Sequence, residues 1–109
     1  MTESPIVYIV QKPDEKKNIT SALDYGEFQF LLSESTNNTL LWSPQEVVST
    51  LQTKLRNFND NDYLLPIGDP VVIGMSTAIA ADYNDGRVRF LKWDNREYKY
   101  HSIEVQLWE

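Results

Sequence analysis

The sequence predicts an α+β fold, in which a mostly antiparallel sheet of four to five strands carries two helices packed on one face. Stretches typical of β-strands lie towards both ends of the chain, and two helix-start signals lie between them. The expected order of elements is therefore β-β-(β)-α-α-β-β. A chain of 109 residues has the size of an ordinary domain, so we expect a single domain over residues 1–109.

The N-terminal strands are indicated by side-chain type and by alternation. Residues 5–11 are rich in β-branched side chains, which favour extended backbone. Residues 27–32 place apolar side chains at every second position and form the clearest part of a second strand. A short third strand over residues 39–42 is the optional member of the expected order.

The first predicted helix has a start signal built from three residue types. Ser43 and Glu46 have the spacing of a capping box, in which the side chain of each residue accepts a hydrogen bond from the backbone amide of the other. Pro44 stands at the first helical position, where its missing N–H costs nothing. The helix should run to about Phe58, with its apolar side chains on one stripe.

The second predicted helix begins with Asp69 as its N-cap and extends over residues 71–83. Its side chains are apolar on nearly every face, which predicts a buried central element. Gly74 and Ala78 lie four positions apart, so that another element could approach the helix backbone closely. Gly86 tolerates positive φ and predicts the stop.

A β-hairpin is expected near the C-terminus, with strands over residues 87–93 and 98–107. The four-residue loop 94–97 sets the register between them. Alternation along each strand then puts the aromatic and basic side chains on the face opposite the core. The expected pairs are Trp93 with Tyr98, Leu91 with Tyr100, and Arg87 with Glu104.

This aromatic and basic face of the hairpin is the candidate site. Aromatic rings and arginines dominate the hot spots of protein–protein interfaces. The same groups can stack on unpaired bases and hold phosphates. A third interpretation is that another part of the chain covers the face, which would make it part of the core, or that the register is shifted by one residue. The candidate partner-binding residues are Arg87, Arg89, Trp93, Tyr98 and Tyr100.

The distribution of charge limits the class of partner. The formal net charge is −6, and residues 1–84 hold eleven acidic residues against five basic ones. Such an acidic body argues against non-specific binding of duplex DNA, which depends on neutralising phosphates. Residues 86–101 hold five basic residues against two acidic ones, and this local excess allows a directed contact.

The composition indicates a cytoplasmic protein. The chain contains no cysteine, which excludes disulfides and thiolate metal sites and suits a reducing compartment. The N-terminus lacks the basic-then-apolar order of a signal peptide. The longest nearly apolar run, residues 71–81, is too short to span a bilayer, so we expect no membrane association.

No catalytic, metal-binding or cofactor motif stands out, and we expect a non-enzymatic protein without cofactor or metal. His101 is the only histidine, and no nucleophile or orienting acid is spaced to work with it, so a half-buried strand histidine is the favoured interpretation. Residues 57–62 offer oxygen ligands but lack the glycine and glutamate positions of an EF-hand loop. An enzyme would require the fold to gather Asp60, Asp62 and Asp69 in one cleft.

Three segments carry a resemblance to a group of phage proteins. Residues 62–74 read DYLLPIGDPVVIG, and they are followed by Asn-Asp-Gly-Arg at 84–87 and Leu-Lys-Trp-Asp at 91–94. This pattern resembles small proteins encoded by tailed phages of marine bacteria, cyanophages included, mainly over the C-terminal half, residues 62–107. The resemblance implies a phage protein made in the cytoplasm of its bacterial host, and it assigns no catalytic residue.

We therefore expect a small non-enzymatic phage protein that binds a protein partner, from the host or phage machinery, through the aromatic and basic hairpin face. A homodimer built on the same face, or by pairing of exposed strand edges, is a variant of this prediction. The alternative is binding of single-stranded nucleic acid through that face.

Overall fold

A five-stranded sheet with two α-helices on one face forms the scaffold of the protein. The computed structural model describes residues 4–13, 19–33 and 40–108. The strands are β1 (Ile6–Gln11), β2 (Glu27–Leu32), β3 (Tyr63–Leu65), β4 (Arg87–Asp94) and β5 (Lys99–Gln106). The helices are a 3-10 helix (Thr20–Asp24), α1 (Pro44–Leu55) and α2 (Pro70–Tyr83).

The direction of the strands corrects the predicted fold. The sheet order is β2-β1-β3-β4-β5, and the first four of these strands run parallel to their neighbours. Only β4 and β5 form an antiparallel pair among the described strands. The α+β assignment and the five-stranded sheet stand, but the expectation of a mostly antiparallel sheet is wrong.

Two of the three parallel pairs involve β3, a strand that the sequence patterns did not predict. β3 has three residues and lies between the two helices, where it pairs with β1 through Tyr8 and Leu64. A strand followed by a helix and a second strand of the same sheet returns parallel, because the helix carries the chain back across the face. The observed order β-β-α-β-α-β-β therefore replaces the predicted one. Residues 40–42 are helical and not a strand, and residue 39 lies outside the described residues.

Helix α1 covers one face of the sheet with a single apolar stripe. Val47, Leu51 and Leu55 are buried against the strands, as the predicted stripe requires. The capping box is wrong, since within the described residues the Ser43 side chain makes no capping hydrogen bond. The Ser43 carbonyl instead accepts from the Glu46 amide at 3.0 Å. The helix ends at Leu55, earlier than predicted.

Helix α2 has the predicted ends but not the predicted burial. The Asp69 carboxylate accepts from the Val71 amide at 2.8 Å, and Gly86 takes a φ of +83° where the chain leaves the helix. Only one face of the helix is buried, because α2 packs beside α1 on the outer side of the sheet, against β1 and β4, with no further layer described over it. An added Cβ at Gly74 would meet no described atom within 4 Å, so no close approach occurs there. Neither this helix nor any other in the described residues is long and apolar enough to cross a membrane.

The opposite face of the sheet is partly covered by the 3-10 helix. Ala22 of this helix packs with Val7, Leu91 and Tyr100, and the Tyr25 hydroxyl donates to the Tyr100 carbonyl at 2.9 Å. Part of the candidate face therefore belongs to the core, which was one of the open interpretations. The cover leaves the end of the hairpin accessible.

The hairpin register differs from the predicted one by two residues. Trp93 pairs with Tyr100, and Arg89 pairs with Glu104. Tyr98 belongs to the turn and not to β5, which moves every pair by two positions. Because side chains alternate with a period of two, this shift preserves the predicted faces.

Candidate protein-binding surface at the hairpin tip

The turn between β4 and β5 is held by the side chain of Asp94. Its Oδ1 accepts from the backbone amides of Arg96 and Glu97, at 2.8 and 3.3 Å. The amide of Arg96, followed by a hydrogen bond with His101, lowers the pKa of Asp94 below its ordinary value. The carboxylate is therefore ionised at neutral pH, and it fixes the conformation of the tip.

Trp93 lies at the end of β4 with its ring held on two sides. Its Nε1 donates to Asn95 Oδ1 at 2.7 Å. The indole meets the Tyr100 ring with 5.1 Å between centroids and 67° between planes, and it meets the Tyr98 ring at 6.4 Å and 72°. The residue is 37% exposed, so a large apolar surface with a fixed orientation faces solvent.

Tyr98 has a backbone conformation that its side chain does not favour. Its φ is +53°, in the left-handed region that glycine and asparagine normally occupy in turns. For a residue with a Cβ this region costs roughly 1–2 kcal/mol. Tyr98 is also 78% exposed, so burial of the ring does not offset the cost. Apart from the edge contact of its ring with Trp93, neither the turn nor the core explains a tyrosine here, which makes Tyr98 a candidate for function.

Tyr100 supports the tip from beneath. It is only 6% exposed and packs with Leu91, Leu65 and Ala22 on the face covered by the 3-10 helix. Burial raises the pKa of the Tyr100 hydroxyl. The structure therefore places this predicted site residue below the surface, in contact with Trp93.

Arg89 is also turned inward. Its guanidinium carbon lies 3.9 Å from the centre of the Tyr63 ring, and Nη2 donates to the Asn61 carbonyl at 2.6 Å. Nη1 lies 3.6 Å from a carboxylate oxygen of Glu104. With 22% of its side chain exposed, Arg89 ties the start of the hairpin to β3.

Arg87 is accessible but paired. Its Nε lies 2.9 Å from Asp60 Oδ1, and Asn84 donates to the same oxygen at 2.9 Å. Hydrogen bonds from Arg87 and then Asn84 lower the pKa of Asp60. Of the five predicted residues, the structure brings the three aromatic ones together at the tip and leaves both arginines at the other end of β4.

A groove of about 510 Å³ opens beside Trp93, and the sequence patterns missed half of it. The hairpin contributes Lys92, Trp93 and Asn95, while Leu65, Pro66 and Ile67 come from the end of β3. In open sheets with parallel strands, ligands bind at the carboxyl ends of the strands, where this groove lies. The short apolar run ahead of Pro66 was the available signal, but three residues are too few to identify a strand from alternation.

The three carboxylates that an enzyme would need to gather lie at opposite ends of β3. Asp60 and Asp62 precede the strand, whereas Asp69 follows it and caps α2. The buried Asp62 accepts from the amides of Ile6 and Asn59, at 3.0 and 3.1 Å. Each of the three has a structural partner.

His101 lies on the other face of the hairpin, opposite Lys92, and is half-buried as the sequence predicted. Its Nε2 is 2.9 Å from Asp94 Oδ2 and 3.4 Å from Glu97 Oε2. No sequence pattern indicated this cluster, because it depends on the pairing of β4 with β5 across the turn.

Comparison with known proteins assigns the chain to a family. No curated protein and no solved structure matches it significantly. A family model described as "Phage Pam3 gp32-like protein" matches residues 5–107, and the match includes the N-terminal half as well as the segments that carried the resemblance. The predicted phage origin is confirmed, and the chain belongs to the Phage Pam3 gp32-like protein family.

Proposed function

We propose that this phage protein is a non-enzymatic binding protein that docks a protein partner through the tip surface, defined as Trp93, Tyr98 and the adjoining groove. The observation that carries the proposal is Tyr98, an exposed aromatic ring on a backbone position with positive φ. A strained residue that folding does not need is a common feature of binding sites.

The chemistry of the tip surface suits a protein partner. Exposed tryptophan and tyrosine rings bury a large area while they lose few rotatable bonds, and they are enriched among interface hot spots. The groove beside Trp93 has the size to receive an apolar side chain of the partner. Aromatic rings beside a concave apolar groove are the usual centre of an interface.

The tip surface is also held in one arrangement before binding. Asn95 and Tyr100 orient the Trp93 ring, and Asp94 fixes the turn that carries Tyr98. A surface that is already ordered loses less conformational entropy on association, which favours affinity. In this proposal Tyr100 and Arg89 support the surface, and Arg87 lies at a distance from it.

Charge favours a protein partner over single-stranded nucleic acid. The two arginines that would hold phosphates are paired, Arg87 with Asp60 and Arg89 with Glu104. The net charge of −6 adds a general repulsion of polyanions. Nucleic acid that used either of these arginines would therefore have to break an ion pair within the protein.

The phage family supports a partner from host or phage machinery, met in the bacterial cytoplasm. A marine or cyanobacterial host is a further part of this proposal. A homodimer formed through the tip surface is a variant of it.

The test is a pull-down from lysates of uninfected and infected host cells, followed by calorimetry with the purified partner. Wild-type protein is compared with Tyr98→Gly, which removes the ring and relieves the backbone. Tyr83→Ala, which removes an exposed tyrosine from α2, is the matched control. We expect Tyr98→Gly to lower the affinity for the partner at least tenfold and Tyr83→Ala to leave that affinity unchanged.

Two other outcomes would redirect the proposal. Equal affinity of wild type and Tyr98→Gly for the partner would contradict docking through the tip surface. Binding of a labelled single-stranded oligonucleotide at low salt, measured by anisotropy and lost in Tyr98→Gly, would support the nucleic-acid alternative. Self-association is checked by measuring the mass in solution over a range of concentrations, with Trp93→Ala beside wild type.

A further inference from the structure

Three side chains able to ligate a metal ion meet on the back of the hairpin tip. One ligand atom from each of Asp94, Glu97 and His101 lies within 4.8 Å of the other two. His101 Nε2 is 2.9 Å from Asp94 Oδ2 and 3.4 Å from Glu97 Oε2. Around a tetrahedral Zn²⁺ with bonds of 2.0–2.2 Å, neighbouring ligand atoms stand about 3.3 Å apart, and the two measured separations lie on either side of that value.

The ligand atoms are directed by the structure around them. Asp94 uses Oδ1 to accept from the amides of the turn, which leaves Oδ2 facing His101. Glu97 belongs to the same turn, and His101 stands on the paired strand β5. Ligands set on a fixed turn and strand need little reordering to bind an ion.

Two carboxylates, those of Asp94 and Glu97, face the single imidazole nitrogen Nε2 of His101. Nε2 carries at most one hydrogen, so it can donate fully to one of the two carboxylates but not to both. Lys99 Nζ lies 3.2 Å from Glu97 Oε2 and is the one other cationic group described as contacting this cluster. A doubly charged ion would interact with both carboxylates at once, in competition with Lys99.

We propose that Asp94, Glu97 and His101 form a binding site for a divalent transition-metal ion, with Zn²⁺ as the best match. One imidazole nitrogen with two carboxylate oxygens suits zinc and its neighbours, whereas Mg²⁺ and Ca²⁺ prefer oxygen ligands alone. The exposed side of the site leaves room for water as a further ligand. Alternation along β4 puts Trp93 on the opposite face, so the proposal does not depend on the tip surface.

The first test is titration of untagged, chelator-treated full-length protein with Zn²⁺ in a calorimeter. We expect one site per chain, and we expect His101→Ala to weaken it at least tenfold. Lys99→Met should strengthen it several-fold, because the competing ammonium is gone. Asp82→Asn removes an exposed carboxylate from α2 and should leave the affinity unchanged, and circular dichroism checks the fold of each variant.

The second test uses the fact that His101 is the only histidine in the chain. A long-range proton–nitrogen NMR spectrum of the imidazole therefore has one set of signals, and coordination should move the Nε2 resonance at one equivalent of Zn²⁺. Absence of binding, or binding that is unaffected in His101→Ala and leaves the imidazole signals in place, would overturn the proposal. Either result would make the cluster an ion-pair network only.

Discussion

The guanidinium of Arg89 lies over the ring of Tyr63, with its carbon 3.9 Å from the ring centre. The two residues come from the neighbouring strands β4 and β3, on the face opposite the helices. An arginine that the sequence patterns assign to a partner-binding surface is thus engaged with the protein's own strand β3. Its removal should therefore affect the stability of the fold more than the binding of a partner.

We expect Arg89→Ala to lower the free energy of unfolding by about 1–2 kcal/mol, through loss of the cation–π contact and of the bond to the Asn61 carbonyl. Arg89→Lys should recover little of this, because an ammonium lacks the planar stacking surface. Urea denaturation measures both, with the exposed Arg96→Ala as the control. An Arg89→Ala protein of wild-type stability that no longer binds the partner would show that Arg89 belongs to the interface.

Tyr98 allows strain to be separated from binding. Tyr98→Gly and Tyr98→Ala both remove the ring, but only glycine is relaxed at a φ of +53°. We expect the glycine variant to be more stable than the alanine variant by about 1 kcal/mol, and we expect the affinity for the partner to fall by the same factor in both. Thermal unfolding measures the difference, and a more stable alanine variant would show that this backbone conformation is not strained.

Two glycines should respond to alanine in opposite directions. Gly74 is exposed inside α2 with open space around it, so Gly74→Ala should raise the free energy of unfolding by up to about 1 kcal/mol. At Gly86, with a φ of +83°, an added Cβ would lie 2.8 Å from the Cγ and 2.9 Å from the backbone nitrogen of Trp108. Gly86→Ala should therefore destabilise the protein by more than about 1 kcal/mol. Paired melting curves check the prediction, and a shift of the same sign in both variants would contradict it.

Acid should destabilise the protein through Asp60 and Asp94. The folded protein lowers the pKa of both, Asp60 chiefly through Arg87 and Asp94 chiefly through the amide of Arg96. A carboxylate with a lowered folded pKa adds stability above its unfolded pKa of about 3.9, and that stability is lost as the pH falls through the folded value.

The measurement is chemical denaturation at a series of pH values from neutral to strongly acidic. Asp60→Asn and Asp94→Asn should each be less stable than wild type at neutral pH and should approach it at the acid end. Asp82→Asn, on the exposed side of α2, is the control. A difference between wild type and the two variants that stays constant across the series would disprove the assignment.

The elements that the sequence predicted correctly depend on contacts between near neighbours. The Asp69 cap and the Gly86 stop of α2 involve only the residues around them. The failure of the Ser43 cap shows the limit of such signals. Residues 40–42 are already helical, and Ser43, between them and α1, takes φ −144° and ψ 63°, where its side chain makes no capping hydrogen bond.

The part of the candidate site that was predicted correctly also follows from a local pattern. Alternation along β4 and β5 places Trp93 and Tyr100 on one face in any register that differs by an even number of residues, so a shift of two residues left that prediction intact. The groove required Leu65 and Ile67, whose strand is too short to have a pattern of its own. Tyr63–Leu65 is extended because β1 and β4 pair with it on either side.

Backbone propensity and the strand period of two are enough to locate most strands and both helices and to say which side chains share a face of the hairpin. The parallel direction of the sheet, the burial of Tyr100 beneath the 3-10 helix and the meeting of His101 with Asp94 and Glu97 arise only when the chain has folded. Each of these depends on which distant segments form hydrogen bonds with each other, and no local pattern of residues specifies that pairing.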